Sequence, residues 1–87
     1  MSLKFLGSEA ACATSVGSAS TFLDAMDVRL VNSGTTNRLV TIANSGDTTL
    51  ATFTLAAGEV SIVRKKTDDQ IFAAHADILG APVITEG

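Results

Sequence analysis

Tryptophan and tyrosine are absent from this chain, and Cys12, His75 and Pro82 are each the single residue of their kind. Each shortage excludes something. Sugars and unpaired bases usually stack on Trp and Tyr rings, so the chain is poorly equipped as a carbohydrate-binding module or a single-strand binder. One cysteine cannot form an internal disulfide, which fits synthesis in a reducing cytoplasm. One Cys and one His, far apart in sequence, do not make a metal-ligand set. No metal or other cofactor is expected. No apolar run approaches the roughly 18–20 residues that span a membrane as a helix. Lys4 precedes Phe5-Leu6, but Gly7, Ser8 and Glu9 end that patch before a signal-peptide core can form. Basic charge is also scarce. Six Lys and Arg stand against nine Asp and Glu, for a net charge of −3, and the one basic cluster, Arg64-Lys65-Lys66, is followed by Asp68-Asp69. Nucleic-acid binding needs a basic footprint to neutralise phosphates. Neither nucleic acid nor a membrane is expected as a partner.

What is present suits one small domain. Of the 87 residues, 26 are Val, Ile, Leu, Met or Phe, and 13 are Ala. Each fully buried large side chain contributes roughly 1.5–3 kcal/mol. Ordering the backbone costs about 1–2 kcal/mol per residue. The balance is close for so short a chain, so association with itself or another protein is expected to help.

The chain divides at about residue 26. Residues 1–26 read as an extended arm or loop segment, packing on the domain or on a neighbour, and Gly7 to Thr21 within it is rich in Ala, Ser, Gly and Thr. A short strand is expected at Ala11–Thr14. One helical turn is expected at Ser20–Met26, with Phe22, Leu23 and Met26 facing inward. Residues 27–87 read as a β domain. Asp27–Asn32, Arg38–Asn44, Thr48–Leu55 and Glu59–Lys65 alternate with period 2, which is the mark of half-buried strands. Val28 and Leu30 share one face, as do Val40 and Ile42, then Ala51, Phe53 and Leu55, then Val60 and Ile62. Asn32-Ser33-Gly34, Asn44-Ser45-Gly46 and Ala56-Ala57-Gly58 punctuate the runs with turn chemistry. The two Asn-Ser-Gly sequences read as the same hairpin turn used twice. Four short runs at about 11-residue spacing predict an all-β fold: a small single-domain antiparallel β-sandwich or barrel with an extended N-terminal arm. Residues 68–79 fit two readings. Thr67-Asp68-Asp69-Gln70 matches a capping box, with Ile71, His75 and Ile78 at helical spacing. Strands at Gln70–Ala73 and Ala81–Thr85 are favoured instead, because a small sheet needs partners on its edges, with at most one helical turn near His75–Leu79.

No catalytic constellation is legible, and the chain is not expected to be an enzyme. His75 has Asp77 nearby but no Gly-x-Ser-x-Gly elbow to supply a nucleophile. Asp24 with Asp27, and Asp68 with Asp69, lack calcium-loop spacing. The glycines, Gly17, Gly34, Gly46 and Gly58 among them, form no phosphate-binding motif and read as turn residues. The candidate site is therefore an interface: the arm from Phe5 to Thr14, with Phe5, Cys12 and Thr14 singled out, and Arg29, Arg64, Lys65 and Lys66 at strand ends. Arg64-Lys65-Lys66 either meets an acidic partner or guards a strand end against pairing.

Val28-Arg29-Leu30-Val31-Asn32, Leu39-Val40-Thr41-Ile42, Ala51–Glu59 and Val63–Asp69, closing with Ala81-Pro82-Val83, together resemble the small virion structural proteins of tailed phages, especially those of marine cyanobacteria. The resemblance spans residues 27 to 85 and lies in strand and turn pattern. It implies a compact β-sandwich module located in the virion, without catalytic residues, that docks on the major capsid protein or other virion proteins. The expected role is a capsid decoration or cement protein, acting as a homo-oligomer. A tail or neck component, such as an adaptor or fibre-base module, is the alternative, and a carbohydrate-binding module is a more distant one.

Overall fold

The computed structural model describes residues 2–15 and 19–86. Residues 16–18 of the expected arm, Gly17 included, lie outside them. The described residues form eight strands and no helix: β1 (Ser2–Phe5), β2 (Ala10–Ala11), β3 (Asp27–Asn32), β4 (Arg38–Ala43), β5 (Thr49–Leu55), β6 (Val60–Arg64), β7 (Gln70–Ala73) and β8 (Ile78–Glu86). The protein is all-β, as the period-2 runs predict. One antiparallel sheet has the order β1-β8-β3-β6, with β2 also on β8, and the other has the order β5-β4-β7. They pack into a flat body of 31 × 31 × 19 Å.

Inward alternation builds the core. Val28 and Leu30 from β3 meet Val40 from β4, Leu55 from β5, Ile71 from β7 and Ile78 from β8, each no more than 1% exposed. Phe22, Ala25 and Cys12 close the same cluster from the N-terminal segment. Gly80, the third residue of β8, stands where a side chain does not fit. A Cβ would lie 2.7 Å from the Phe22 ring and 3.1 Å from Leu30.

Three expectations change. Only one of the two Asn-Ser-Gly sequences closes a hairpin. Asn44–Asp47 joins the paired strands β4 and β5, whereas Asn32-Ser33-Gly34 carries the chain from one sheet to the other, since β3 pairs with β6 and β8. The local chemistry is nonetheless shared. Gly34 N–H donates to Asn32 Oδ1 (3.0 Å), and Gly46 N–H donates to Asn44 Oδ1 (2.9 Å), the Asx-turn bond that such sequences favour. Asn32 is fully buried, and its Nδ2 donates to Thr36 O (2.8 Å) and Leu55 O (2.9 Å), so its amide ties the two sheets together.

Second, Ser20–Met26 is not a helical turn. Phe22, Leu23 and Asp24 have φ of 53°, 60° and 56°, the left-handed region that L-residues with bulky side chains avoid. Phe22 faces inward as expected, but Leu23 and Met26 are 74% and 51% exposed. Third, the N-terminal strand is displaced; of the two placements expected for this segment, on the domain or on a neighbour, the described residues take the first. β1 pairs with β8 over Phe5↔Val83 to Ser2↔Glu86, and β2 pairs Ala10 with Gly80 and Ala11 with Leu79. The strand expected at Ala11–Thr14 is only Ala10–Ala11, and Cys12 enters the core. In the last third the favoured strand reading holds: β7 and β8 form, and residues 74–77 make a turn rather than a helix.

Candidate docking surface

The strands set one row of residues straight across the first sheet. Phe5 stands opposite Val83, Val83 opposite Asp27, and Asp27 opposite Arg64. Cross-strand neighbours share a sheet face, so this row carries one acid–base pair and two apolar side chains. Asp27 and Arg64 form a bidentate ion pair, with Arg64 Nε to Asp27 Oδ1 and Nη2 to Oδ2 both at 3.0 Å. The Asp27 carboxylate is nearly buried. Its hydrogen bonds, and then its charge, hold the Arg64 guanidinium pKa above its ordinary value.

The left-handed turn before β3 sits beside this row. Phe22 N–H donates to Ser20 Oγ (3.0 Å), and Ala25 N–H donates to Phe22 O (3.2 Å). Burial of Phe22 on one side and Ala25 on the other fixes both ends of the turn, and Leu23 is thrust outward between them. The result is a groove of about 280 Å³ lined by Leu6, Leu23, Met26, Val83 and Ile84, with Asp24, Asp27 and Arg64 among its other walls. Leu6, Leu23, Met26 and Ile84 are all between 46% and 74% exposed, and Phe5 beside them is 54% exposed. Scattered apolar residues are ordinary on a surface; Leu6, Leu23, Met26 and Ile84 instead line one groove.

The interface residues expected from sequence are distributed unevenly around this groove. Arg64 lines it, and Phe5 flanks it. Cys12 and Lys65, in contrast, are 3% and 6% exposed and present no surface. Burial pushes the Cys12 thiol up to about 11, so it stays protonated and unreactive near neutrality. The Lys65 ammonium folds back to donate to Lys66 O (3.1 Å) and Thr67 O (3.2 Å). Desolvation lowers its pKa, opposed by Asp69, Asp24 and Asp68. Lys65 departs from the expected solvent-facing cluster because three neighbouring carboxylates and two carbonyls make burial tolerable. Arg29 lies elsewhere, bonded to Glu9 Oε2 at 3.0 Å, where it clasps the β1–β2 connection. Thr14 and Lys66 are exposed away from the groove lining. Leu6 belongs to the arm expected at the interface, whereas Leu23, Met26 and Ile84 were not expected at the site. Helical spacing pointed Leu23 and Met26 inward, and only the left-handed turn reverses them.

His75 and Asp77 do meet. Nδ1 of His75 lies 3.3 Å from Asp77 Oδ2 and also accepts from the Asp77 N–H at 3.0 Å. Arg38 stands 3.8 Å from the same carboxylate. The hydroxyl of Ser33 donates to Asp77 O (2.7 Å), and Ser33 N–H donates to the same oxygen (2.9 Å). These bonds fasten the β7–β8 turn to the β3–β4 crossing. No cluster of three or more His, Cys, Asp or Glu side chains suited to a metal occurs among the described residues. No protein-family model, curated protein or solved structure matches the chain.

Proposed function

We propose that this chain is a virion structural protein, a decoration or cement protein that docks on the major capsid protein of a tailed phage through the groove around Leu23. The observation that carries the docking half is the apolar group Phe5, Leu6, Leu23, Met26 and Ile84, held out from a fold this small. Leu23 is the telling member. A left-handed leucine costs about 1 kcal/mol or more in backbone strain, and burial does not repay it, because the side chain is 74% exposed. Contact with another protein does. The virion half is supported by the resemblance of strand and turn pattern over residues 27 to 85.

The test is co-sedimentation of the purified chain with undecorated capsids, comparing the parent with Leu23→Asn. Asparagine tolerates the left-handed region, so the variant is expected to be more stable by about 0.5–1 kcal/mol in urea unfolding and to bind capsids at least about tenfold more weakly. Equal binding by the variant would remove the groove from the interface. No binding by the parent would remove the decoration role. Copy number in purified particles then separates lattice decoration, near a simple ratio to the major capsid protein, from a tail or neck position with few copies.

A further inference from the structure

We infer that β6 is a self-pairing edge through which two copies of this chain join into one continuous antiparallel sheet about a two-fold axis at Ile62. The inference stands apart from the groove and from the capsid reading, since it concerns the isolated chain.

β6 is the last strand of its sheet, and among the described residues no strand pairs with its outer edge. Its hydrogen-bonding phase follows from both ends. Asn32 N–H donates to Glu59 O (3.0 Å), and Lys65 N–H donates to Met26 O (2.7 Å). In an antiparallel ladder, residues directed at the partner alternate with residues directed away. Glu59 O, the backbone groups of Ser61 and Val63, and Lys65 N–H therefore go to β3, while Glu59 N–H closes its own turn on Ala56 O (2.9 Å). Val60, Ile62 and Arg64 direct theirs outward, a row of three donors and three acceptors ready to pair.

The other edges are covered, short or interrupted at one end, whereas β6 is open along its length, with a charge only at its end, Arg64. The free side of β7 is occupied, because Ala73 N–H donates to Ala13 O and Ile71 N–H to Ser20 O, both at 2.9 Å. β5 opens with an irregularity in its register against Ile42 and Ala43, and a bulge twists an edge away from partners. β1 is four residues long and carries an exposed Lys4. β6 runs in unbroken register with β3 from Val60 to Arg64. It has no proline or bulge, and its outward side chains Val60 and Ile62 are 48% and 41% exposed.

Charge selects the occupant and its direction. The strand is acidic at its start, Glu59, and basic at its end, Arg64 and Lys66. Two-fold pairing centred on Ile62 sets Val60 against the second copy's Arg64 and Glu59 against its Lys65, whose ammonium is turned inward, so the exposed cations at that end are Arg64 and Lys66. A parallel arrangement would set Glu59 on Glu59 and Arg64 on Arg64, which like-charge repulsion disfavours. A second copy supplies this complement without any further partner, through the self-complementary contact of two-fold dimers.

Sedimentation equilibrium of the purified chain, at concentrations up to roughly millimolar, is expected to show a reversible dimer. Ile62→Pro deletes an N–H that β3 does not use. Ile62→Lys sets two like charges face to face on the axis while leaving every backbone bond intact. Each is expected to raise the dimer dissociation constant by about tenfold or more. In a Cys12→Ala background, Ile62→Cys is expected to form a covalent dimer on mild oxidation, because residues facing one another across the axis stand about 5.5 Å apart at Cα. Val60→Cys is expected not to, its two copies being about 13 Å apart. A chain that stays monomeric overturns the inference, as does a dimer that survives both Ile62 variants or one that cross-links through Val60→Cys instead.

Discussion

Asn32 and Cys12 show how far single side chains determine this small fold. Asn32 is a fully buried amide whose three hydrogen bonds, to Thr36 O, Leu55 O and Gly34 N–H, substitute for water. Replacing it with leucine keeps the branched shape and the number of heavy atoms but strands two carbonyls and one N–H, at about 1–3 kcal/mol per buried unpaired group. Asn32→Leu is therefore expected to lower stability by about 2–4 kcal/mol in urea unfolding, although leucine is the more hydrophobic residue. Cys12 carries a pH dependence. Its pKa rises from 9.0 to about 11 on burial, so the folded state favours the neutral thiol. That contribution is fully present below pH 9 and is lost as pH rises toward 11. Lys65 works in the opposite sense over the alkaline range, because its folded pKa is lowered. Comparison with Cys12→Ala isolates the thiol. Between pH 8.5 and 10.5 the parent is expected to lose on the order of 1–2 kcal/mol more stability than the variant.

At the scale of elements, β8 and the turn at Phe22 depend on one another. β8 pairs with β1, β2 and β3, and the missing side chain at Gly80 makes the space for the Phe22 ring. That ring anchors the left-handed turn, and the turn in turn presents Leu23. Gly80→Ala is expected to destabilise by about 1–3 kcal/mol through overpacking. With Phe22→Leu the two substitutions should combine less than additively, since the smaller side chain vacates the same space. A double-mutant cycle in urea measures this, and strict additivity would mean that the ring and β8 are not in contact. The turn also shows where local pattern misleads. Phe22, Leu23 and Met26 have helical spacing, yet three successive left-handed residues form instead, because the chain must bury both Phe22 and Ala25 in the five residues before β3.

At the scale of the molecule, the N-terminal segment is structural. Residues 2–11 supply two strand partners for β8, and Cys12, Phe22 and Ala25 belong to the core. Deleting residues 1–9 is expected to lower the urea midpoint, at a cost of about 2–4 kcal/mol, a large share of what a small domain possesses. It should also cause concentration-dependent aggregation through the uncovered β8 edge. A truncated chain as stable and soluble as the parent would make the segment a detachable arm. The same scale explains how the two surface proposals coexist. The groove lies at the Phe5–Arg64 row and the free β6 edge runs from Arg64 to Val60, so docking and self-pairing use adjoining surfaces that meet at Arg64.

The sequence by itself determined the all-β class, the positions of β3 to β6 and that the chain turns after Asn32 and Asn44. All of these follow from local alternation and from side chains bonding their own backbone two residues away. It left open whether the last third was helix or strand, although the need of a small sheet for edge partners favoured the strands that form. Only the tertiary structure decided that β3 lies between β6 and β8, that Asn32 crosses between sheets rather than closing a hairpin, that Lys65 turns inward, and that Leu23 turns out. These depend on which distant segments bury one another. A period-2 pattern states that a strand has two faces, and the surrounding chain alone decides what each face meets.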